Sequence, residues 1–432
     1  MWLLNCANYR LEPNDLDGLS PKPYWILSHT WGDDEVTFQD MQNPTLAAQK
    51  KGFQKIKAMC ELASANGQMY VWIDTCCIDK SSSAELSESI NSMFYWYQKA
   101  ARCIAYLEDL LPYRGMNIED ELRRCRWFTR GWTLQELLAP REVDFYDSQW
   151  NLRGTKGQIC AELSNITKID NDNLKFPSSD SLQRVPVARK MSWAAGRQTT
   201  RIEDKAYCLL GIFDVHMPLL YGEREQAFVR LQQTIAQKGN DMSLFAWIAR
   251  PDDGPMKDLP PYSGLLASDP SQFAACSGVE PIRDPLLPSP SWIITNAGIE
   301  MTTALDCSTG LGHTVITRAS DNTLRGERCP SVYSFCYRLF LHCQPWYWHD
   351  HFGTPDSGSH GFALWLRKTR SGFVRFRPTE LCLVQRSAMD FNDPGPIRIA
   401  ISLTRQQLYD TKSDLRLLSD ASFVPHMLRW GF

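Results

Sequence analysis

The sequence places one carboxylate, Glu136, in an apolar setting where it could take part in chemistry. It lies in the stretch Arg130–Leu138, four residues after Trp132, so the two side chains share one face of a helix. The neighbouring residues include three leucines, which indicates a helix beside a crevice rather than one freely exposed to water. A carboxylate in such a place could stabilise a developing positive charge. As an isolated helical glutamate it could also be an ordinary solvated surface residue.

A second group of candidate residues ends the apolar segment that begins at Tyr24. Ser28 and His29 come first, and Trp31 and Gly32 form the turn that follows. Glycine would allow the backbone to turn sharply, and Trp31 offers an aromatic face for stacking. The alternative is a strand-ending turn with a packed tryptophan, in which His29 makes only a structural hydrogen bond.

Two charged residues stand at the boundaries of other elements. Asp74 ends an apolar run and could cap the next turn or bind a ribose hydroxyl. Arg130 precedes the helix of Glu136, and its planar guanidinium could hold a pyrophosphate or a carboxylate. A surface salt bridge is the alternative for Arg130.

Alternating strands and helices must position these residues. After a lead-in of about 20 residues, we predict strands at Tyr24–Ser28, Met69–Asp74, Cys103–Leu107 and Glu142–Tyr146, and helices at Lys51–Ala65, Glu85–Lys99, Gly131–Ala139 and Lys156–Ile166. Such alternation implies right-handed crossovers and a parallel sheet. Parallel sheets bind ligands beyond the carboxyl ends of their strands. Ser28, Asp74 and Glu136 are therefore expected to converge on one edge of the sheet.

The predicted fold class is α/β, and the chain divides into three parts. Residues 1–170 carry the α/β domain, a mainly parallel sheet with flanking helices, and residues 171–249 are expected to form a helical extension packed on it. Residues 250–432 begin with a linker rich in proline and glycine. Their short punctuated runs predict a mostly β C-terminal domain of unknown role.

Composition narrows the class of protein. Hydrophobic residues make up 43% of the 432 residues, as in ordinary globular proteins, and a net charge of −3 gives no reason to expect a nucleic-acid partner. We find no apolar run of about 18 residues and no secretory signal, so we expect no membrane span and a cytoplasmic location. The spacings among Cys336, His342, Cys343, His349 and His351 match no zinc pattern. We therefore expect no metal.

Three blocks of the sequence resemble those of the fungal heterokaryon-incompatibility (HET) domain. They are residues 24–32 (YWILSHTWG), 71–79 (VWIDTCCID) and 130–138 (RGWTLQELL). Their order and chemistry are more distantly similar to TIR domains, whose third block reads Trp-Cys-x-x-Glu-Leu. This resemblance implies a TIR-like, flavodoxin-like sheet. Thr133 stands here at the position of that cysteine, and the glutamate is retained as Glu136.

The resemblance implies non-self recognition, triggered cell death and an activity. In TIR enzymes that destroy NAD, this glutamate is catalytic and a Ser-His pair after the first strand lines the nucleotide pocket. The first hypothesis is thus an NAD glycohydrolase that needs no cofactor, with NAD as substrate and Glu136 as the catalytic residue. Its substrate-binding residues would be Ser28, His29, Trp31, Gly32, Asp74, Arg130 and Trp132. The alternative is a non-enzymatic death or signalling adaptor. Both imply self-association through the HET domain and allow a protein trigger or regulator.

Overall fold

A computed structural model describes residues 1–113, 115–175, 179–249 and 262–281 continuously, and beyond residue 290 it describes a set of strands. The chain divides into two compact units. The first comprises Met1–Val185 and Gly196–Ala227, and the second comprises Pro186–Ala195 and Phe228–Phe432. All the candidate residues named for chemistry lie in the first unit.

A seven-stranded mixed sheet forms the centre of the first unit. Its strands are β1 (Trp2–Asn5), β2 (Leu11–Pro13), β3 (Trp25–His29), β4 (Tyr70–Ile73), β5 (Arg102–Tyr106), β6 (Val143–Tyr146) and β7 (Leu152–Thr155), in the order β2-β1-β4-β3-β5-β6-β7. Strands β3 to β6 are parallel to one another, whereas β1, β2 and β7 pair antiparallel at the two edges. The sheet and its helices confirm the α/β class.

The parallel pairing that the sequence predicts is present. Ile26 of β3 pairs with Trp72 of β4, and Leu27 pairs with Ile73. Counted along the chain, the parallel strands lie side by side in the order second, first, third, fourth. The strand order therefore reverses between β3 and β5, and ligands of such sheets bind at the carboxyl ends beside this reversal.

The lead-in of about 20 residues contains two strands that the sequence analysis did not identify. Residues 2–13 form a hairpin, β1 and β2, which extends the sheet beside β4. Leu3 and Leu4 are fully buried there. Four residues are too few to show a periodic pattern, so the sequence does not reveal this strand. The short edge strand β7 escaped prediction for the same reason.

Twelve helices are described. They are α1 (Pro44–Ala47), α2 (Phe53–Ala65), α3 (Ser83–Lys99), α4 (Ile118–Arg123), α5 (Thr133–Leu138), α6 (Cys160–Thr167), α7 (Asn171–Lys175), α8 (Ser179–Gln183), α9 (Val187–Ala194), α10 (Asp204–Tyr207), α11 (Leu210–Phe213) and α12 (Gln226–Lys238). Within the described residues, none of the helices is long and apolar enough to cross a membrane.

Helices α3 and α5 show two different reasons for helix formation. In α3 the Ser82 side chain accepts the Glu85 backbone N–H, and Ile90, Met93 and Tyr97 line the buried face, as an amphipathic helix requires. Every residue of α5 is buried. The carbonyls of its last turn need partners. The ammonium of the buried Lys156 donates to the carbonyl oxygen of Leu137 in that turn and to that of Pro140 just beyond the helix.

The second unit combines helices with a twelve-stranded sheet and a separate two-stranded sheet. Its strands are β8 (Tyr262–Ser263), β9 (Val279–Pro281), β10 (Ser291–Thr295), β11 (Gly298–Thr302), β12 (Leu305–Asp306), β13 (Thr314–Arg318), β14 (Leu324–Arg328), β15 (Tyr337–Phe340), β16 (Cys343–Pro345), β17 (His360–Thr369), β18 (Gly372–Phe376), β19 (Glu380–Gln385), β20 (Phe391–Asn392) and β21 (Pro396–Ile399). The chain between most of them lies outside the described residues, so a mostly β C-terminal domain stays a prediction. Cys336, His342, His349 and His351 lie outside as well.

Candidate active site

Glu136 and Ser28 are in direct contact. Strand β3 brings Ser28 to the carboxyl end of the sheet, and α5 places Glu136 against it, so that the serine hydroxyl donates to Oε2 of Glu136. The indole Nε1 of Trp127 donates to Oγ of Ser28 at 2.7 Å. Because an indole nitrogen can only donate, Ser28 must accept this bond. Its own proton is thereby directed to the carboxylate.

This buried pair, Ser28 and Glu136, is almost completely shielded from solvent. Ser28 is 0% exposed and Glu136 is 7% exposed. Burial raises the pKa of Glu136 to about 8, and the negative charge of Asp74 adds to the rise. The hydrogen bond from Ser28, the charge of Arg130 and the hydroxyl of Tyr97 act in the opposite direction. The carboxyl group therefore gains and loses its proton near neutral pH, as a general base should.

Three residues form a more exposed cluster, which we call the rim: Trp31, Asp74 and Lys80. Trp31 is 42% exposed, and its Nε1 donates to Oδ2 of Asp74 at 2.8 Å. The ammonium of Lys80 lies 3.8 Å from the centroid of the Trp31 ring, within the range of a cation–π contact. Burial raises the pKa of Asp74, while the charge of Lys80 and the bond from Trp31 oppose that rise.

His29 is a buried imidazole between two carboxylates. Its Nδ1 lies 3.9 Å from Oδ1 of Asp74, and its Nε2 lies 3.9 Å from Oε1 of Glu35, both beyond hydrogen-bond distance. Neither nitrogen has a hydrogen-bond partner among the described residues. Burial and the nearby charge of Lys55 lower the pKa of His29 to about 3, so the ring is neutral at physiological pH.

Gly32 does not adopt a backbone conformation that requires glycine. Its φ lies outside the left-handed region, and the left-handed residue of this turn is Asp34, with φ 62°. A Cβ on Gly32 would come no closer than 3.7 Å to Glu35, which is ordinary contact. The backbone N–H of Gly32 donates to Oε1 of Glu35 at 2.8 Å.

Arg130 and Trp132 flank the start of α5 but have different neighbours. Arg130 is half-buried, and its positive charge acts on Glu136, Asp74 and His29. Trp132 instead hydrogen-bonds the carboxylate of Asp204. The structure therefore brings Arg130 to the other candidates and directs the indole nitrogen of Trp132 elsewhere.

Several residues of the site are not evident in the sequence. Tyr97 could be placed on the buried face of α3 by its helical spacing, but nothing in the sequence pairs it with Glu136. Trp127 lies in a short 3-10 helix, Arg126–Thr129, where no periodicity distinguishes it from core. Glu35 and Lys80 occupy polar segments and read as surface charges.

The comparison with protein families covers the first two of the three blocks. Residues 24–117 match the family model described as "Heterokaryon incompatibility protein (HET)". In this range the chain is similar to HET domains. Over 254 residues the chain is 41% identical to "Vegetative incompatibility protein HET-E-1" of Podospora anserina, a match that covers 57% of this chain and 17% of the relative. No solved structure matches the chain. The matched range includes Ser28 and Asp74, and Glu136 follows it.

Proposed function

We propose that this protein acts in heterokaryon incompatibility and non-self recognition, and that it does so by cleaving the nicotinamide–ribose bond of NAD. The buried Ser28–Glu136 pair carries the proposal. It combines one carboxylate of raised pKa with a fixed hydroxyl at the carboxyl ends of parallel strands. The name of the Podospora relative supports the biological role, and the reversal of strand order supports a TIR-like placement of the site.

The reaction requires little beyond a correctly placed carboxylate. Breaking the bond between C1′ of the ribose and the ring nitrogen leaves neutral nicotinamide and an oxocarbenium-like sugar cation. Ionised Glu136 stabilises that cation. A water molecule then attacks C1′ and transfers its proton to Glu136, giving ADP-ribose. The carboxylate subsequently releases this proton to solvent, so one water is consumed and one proton is produced.

The raised pKa of Glu136 is compatible with both of its roles, stabilising the sugar cation and accepting the proton of water. In the free protein the carboxyl is largely protonated at pH 7, since its pKa is about 8. The nicotinamide ring of NAD is cationic, and a cation beside the carboxyl favours its charged form. Substrate binding would therefore ionise Glu136. A pKa near the working pH also makes the carboxylate an effective acceptor for the proton of water.

The rim has the chemistry to bind the rest of the dinucleotide. Trp31 presents an exposed indole on which nicotinamide or adenine can stack, with its nitrogen fixed by Asp74. Lys80 and Arg130 both place positive charge beside Asp74. These cations would attract the negatively charged pyrophosphate of NAD.

The burial of Ser28 and Glu136 favours a second candidate, the non-enzymatic adaptor that acts by self-association. A substrate can bring its C1′ to Glu136 only if the surrounding side chains open. In the adaptor, the same Ser28–Glu136 hydrogen bond would serve only to hold α5 on the sheet. Folds of this kind serve unrelated functions, so the site must be tested directly.

Incubating the purified protein with NAD and separating the products by chromatography tests the proposal. We expect nicotinamide and ADP-ribose or a cyclic product. Glu136→Gln should lower turnover on the order of 10²-fold or more, because the amide carries no charge. Glu142→Gln, which changes an exposed carboxylate just before β6, is the matched control and should cleave at the wild-type rate. A wild type that stays inactive at high protein concentration would support the adaptor.

A further inference from the structure

The segment that begins at Gly196 belongs to the first unit and contacts the beginning of α5, the helix that carries Glu136. Nη1 of Arg197 donates to the carbonyl oxygen of Arg130 at 2.8 Å and to Oγ1 of Thr133 at 2.9 Å. A backbone bond beside it reinforces the contact, since the Gly131 N–H donates to the Gln198 carbonyl at 2.8 Å. A guanidinium with two acceptors on one turn fixes the position and the direction of that turn.

Thr133 connects Arg197 to the helix that carries the Glu136 carboxylate. It is the first residue of α5, three residues before Glu136, and side chains at that spacing lie on the same helix face. Its hydroxyl accepts from Arg197 and donates to the carbonyl oxygen of Trp127. Thr133 therefore connects the guanidinium with the residue whose indole holds Ser28.

The two partners of the Ser28–Glu136 hydrogen bond are thus connected to one cation by two routes that diverge at Thr133. One route runs from Arg197 through Thr133 along α5 to Glu136. The other runs from Thr133 through the Trp127 backbone, and then from the Trp127 indole to Ser28. A shift of Arg197 would move both ends of the bond.

We infer that Arg197 is a positioning residue for Glu136, which holds through Thr133 both partners of the Ser28–Glu136 hydrogen bond. The catalytic part of this inference rests on the proposed function, whereas the geometric part does not. Burial lowers the pKa of Arg197 to about 10, so the guanidinium stays charged at neutral pH. Asp74, Arg130 and the hydroxyl of Tyr97 also act on the ionisation of Glu136. The thiols of Cys103 and Cys208 interact with its charge as well.

Substitutions at both ends of the Arg197–Thr133 bond test the inference in the full-length protein. Arg197→Met removes the charge and both hydrogen bonds, and Arg197→Lys keeps only the charge. Thr133→Val removes the hydroxyl at nearly constant volume, and Thr133→Ser retains it. Arg201→Met is the matched control, because Arg201 is exposed in the same segment and stacks on the Tyr221 ring.

Nuclear magnetic resonance reports the geometry without relying on NAD cleavage. In protein labelled at the glutamate carboxyl carbon, with Glu136 assigned through Glu136→Gln, we expect Arg197→Met and Thr133→Val to raise the midpoint of the Glu136 titration. Both should also shift the Trp127 indole N–H resonance, assigned through Trp127→Phe. Thr133→Ser and Arg201→Met should leave both signals in place.

Kinetics then test the catalytic part. Arg197→Met and Thr133→Val should lower kcat about 10- to 100-fold with little change in KM, because a misplaced carboxylate affects reaction more than binding. Thr133→Ser should restore most of the rate. If both damaging variants keep the wild-type titration and indole signals, the inference is wrong. If the wild type cleaves no NAD, the proposed function fails, and the resonance measurements still decide the role of Arg197. Should Arg197→Met not fold, Thr133→Val tests the same contact from its other end.

Discussion

The buried pair and the rim lie on the same edge of one sheet but differ in their exposure to water and in the interactions that hold them. Ser28 and Glu136 are enclosed, and their hydrogen bonds are fixed by Trp127. Trp31 and Lys80 are exposed, and they interact through a ring face and an ammonium group. Electrostatic effects are large where water is excluded and small where it is present.

This difference separates the expected roles. A carboxyl in a dry setting has a displaced pKa and acts strongly on a nearby charge, which suits it to the reacting centre. Charges in contact with water are screened by salt and contribute mainly to attraction and orientation. Changes at the buried pair should therefore alter stability and rate, and changes at the rim should alter binding by small factors.

The largest expected effect is on the free energy of unfolding, which the buried carboxylate of Glu136 lowers at high pH. Its pKa is raised from 4.5 to about 8, so between these values the folded state keeps a proton that the unfolded state has lost. Stability should therefore fall as pH rises from about 4.5 to 8, by up to about 5 kcal/mol from this group. Glu136→Gln should lack that fall and be more stable than wild type at pH 9. Denaturant unfolding of both proteins at pH 5, 7 and 9 measures this difference in the free energy of unfolding.

Glu142→Gln is the control for this measurement, because it removes an exposed carboxylate close in sequence. It should follow the wild-type pH dependence. Parallel curves for wild type and Glu136→Gln would mean that Glu136 is not desolvated in the folded protein, and the contrast between the buried pair and the rim would lose its basis.

A smaller effect is expected when the other member of the buried pair is changed. Ser28→Ala removes a hydrogen bond that stabilises the charged form of Glu136, so the pKa of Glu136 should rise above its wild-type value. The carboxylate is the active form in our proposal. The acid limb of the kcat/KM profile for NAD should therefore move to higher pH, and the value at pH 7 should fall about 10-fold.

Ser89 offers a matched control for that variant. It is buried in α3, as Ser28 is buried in β3, but it has no part in the site. Ser89→Ala should keep the wild-type pH profile. A Ser28→Ala protein with the same profile as wild type would show that the hydroxyl does not influence Glu136.

The fold around the site was predictable to the extent that it rests on apolar runs. Strands β3, β4 and β5 were predicted within one or two residues, because each is an apolar run that ends in a turn. The apolar neighbours of Glu136 also indicated that its helix is not freely exposed to water, in agreement with its burial. The direct bond to Ser28 was not predictable, because it depends on how β3, β5 and α5 pack and on the indole of Trp127.

The rim shows a different limit of sequence reasoning. Lys80 follows two cysteines and an aspartate and has no periodic signal. Its place over Trp31 depends on a local turn, in which the carboxylate of Asp79 accepts the Ser81 backbone N–H at 2.9 Å and Ser82 caps α3. Such turns are specified by hydrogen bonds between side chain and backbone. The ring that Lys80 contacts belongs to Trp31, which is distant in sequence, so the local turn alone does not predict the contact.

A modest effect on binding is expected at the rim. Lys80→Met should raise KM for NAD about 3-fold and leave kcat nearly unchanged, and the difference from wild type should shrink as salt screens the lost charge. Lys99→Met is the matched control, because Lys99 lies 5.3 Å from the Tyr95 ring centroid at the end of α3, outside the site. A Lys80→Met protein with lowered kcat and unchanged KM would place Lys80 in the chemistry instead.

The smallest effect is expected for Gly32→Ala, and Gly131→Ala provides the comparison. The backbone of Gly32 is not left-handed, and a new methyl group would meet Glu35 only at 3.7 Å, so the free energy of unfolding should change by less than about 0.5 kcal/mol. At Gly131 the added Cβ would lie 2.5 Å from Cγ2 of Thr199 and 3.1 Å from Sγ of Cys208. Overpacking there should cost about 1–3 kcal/mol. Thermal unfolding of the two variants measures the difference. Equal losses at both positions would mean that the turn at the rim is packed as tightly as the start of the glutamate helix, contrary to the exposure of Trp31 and Gly32.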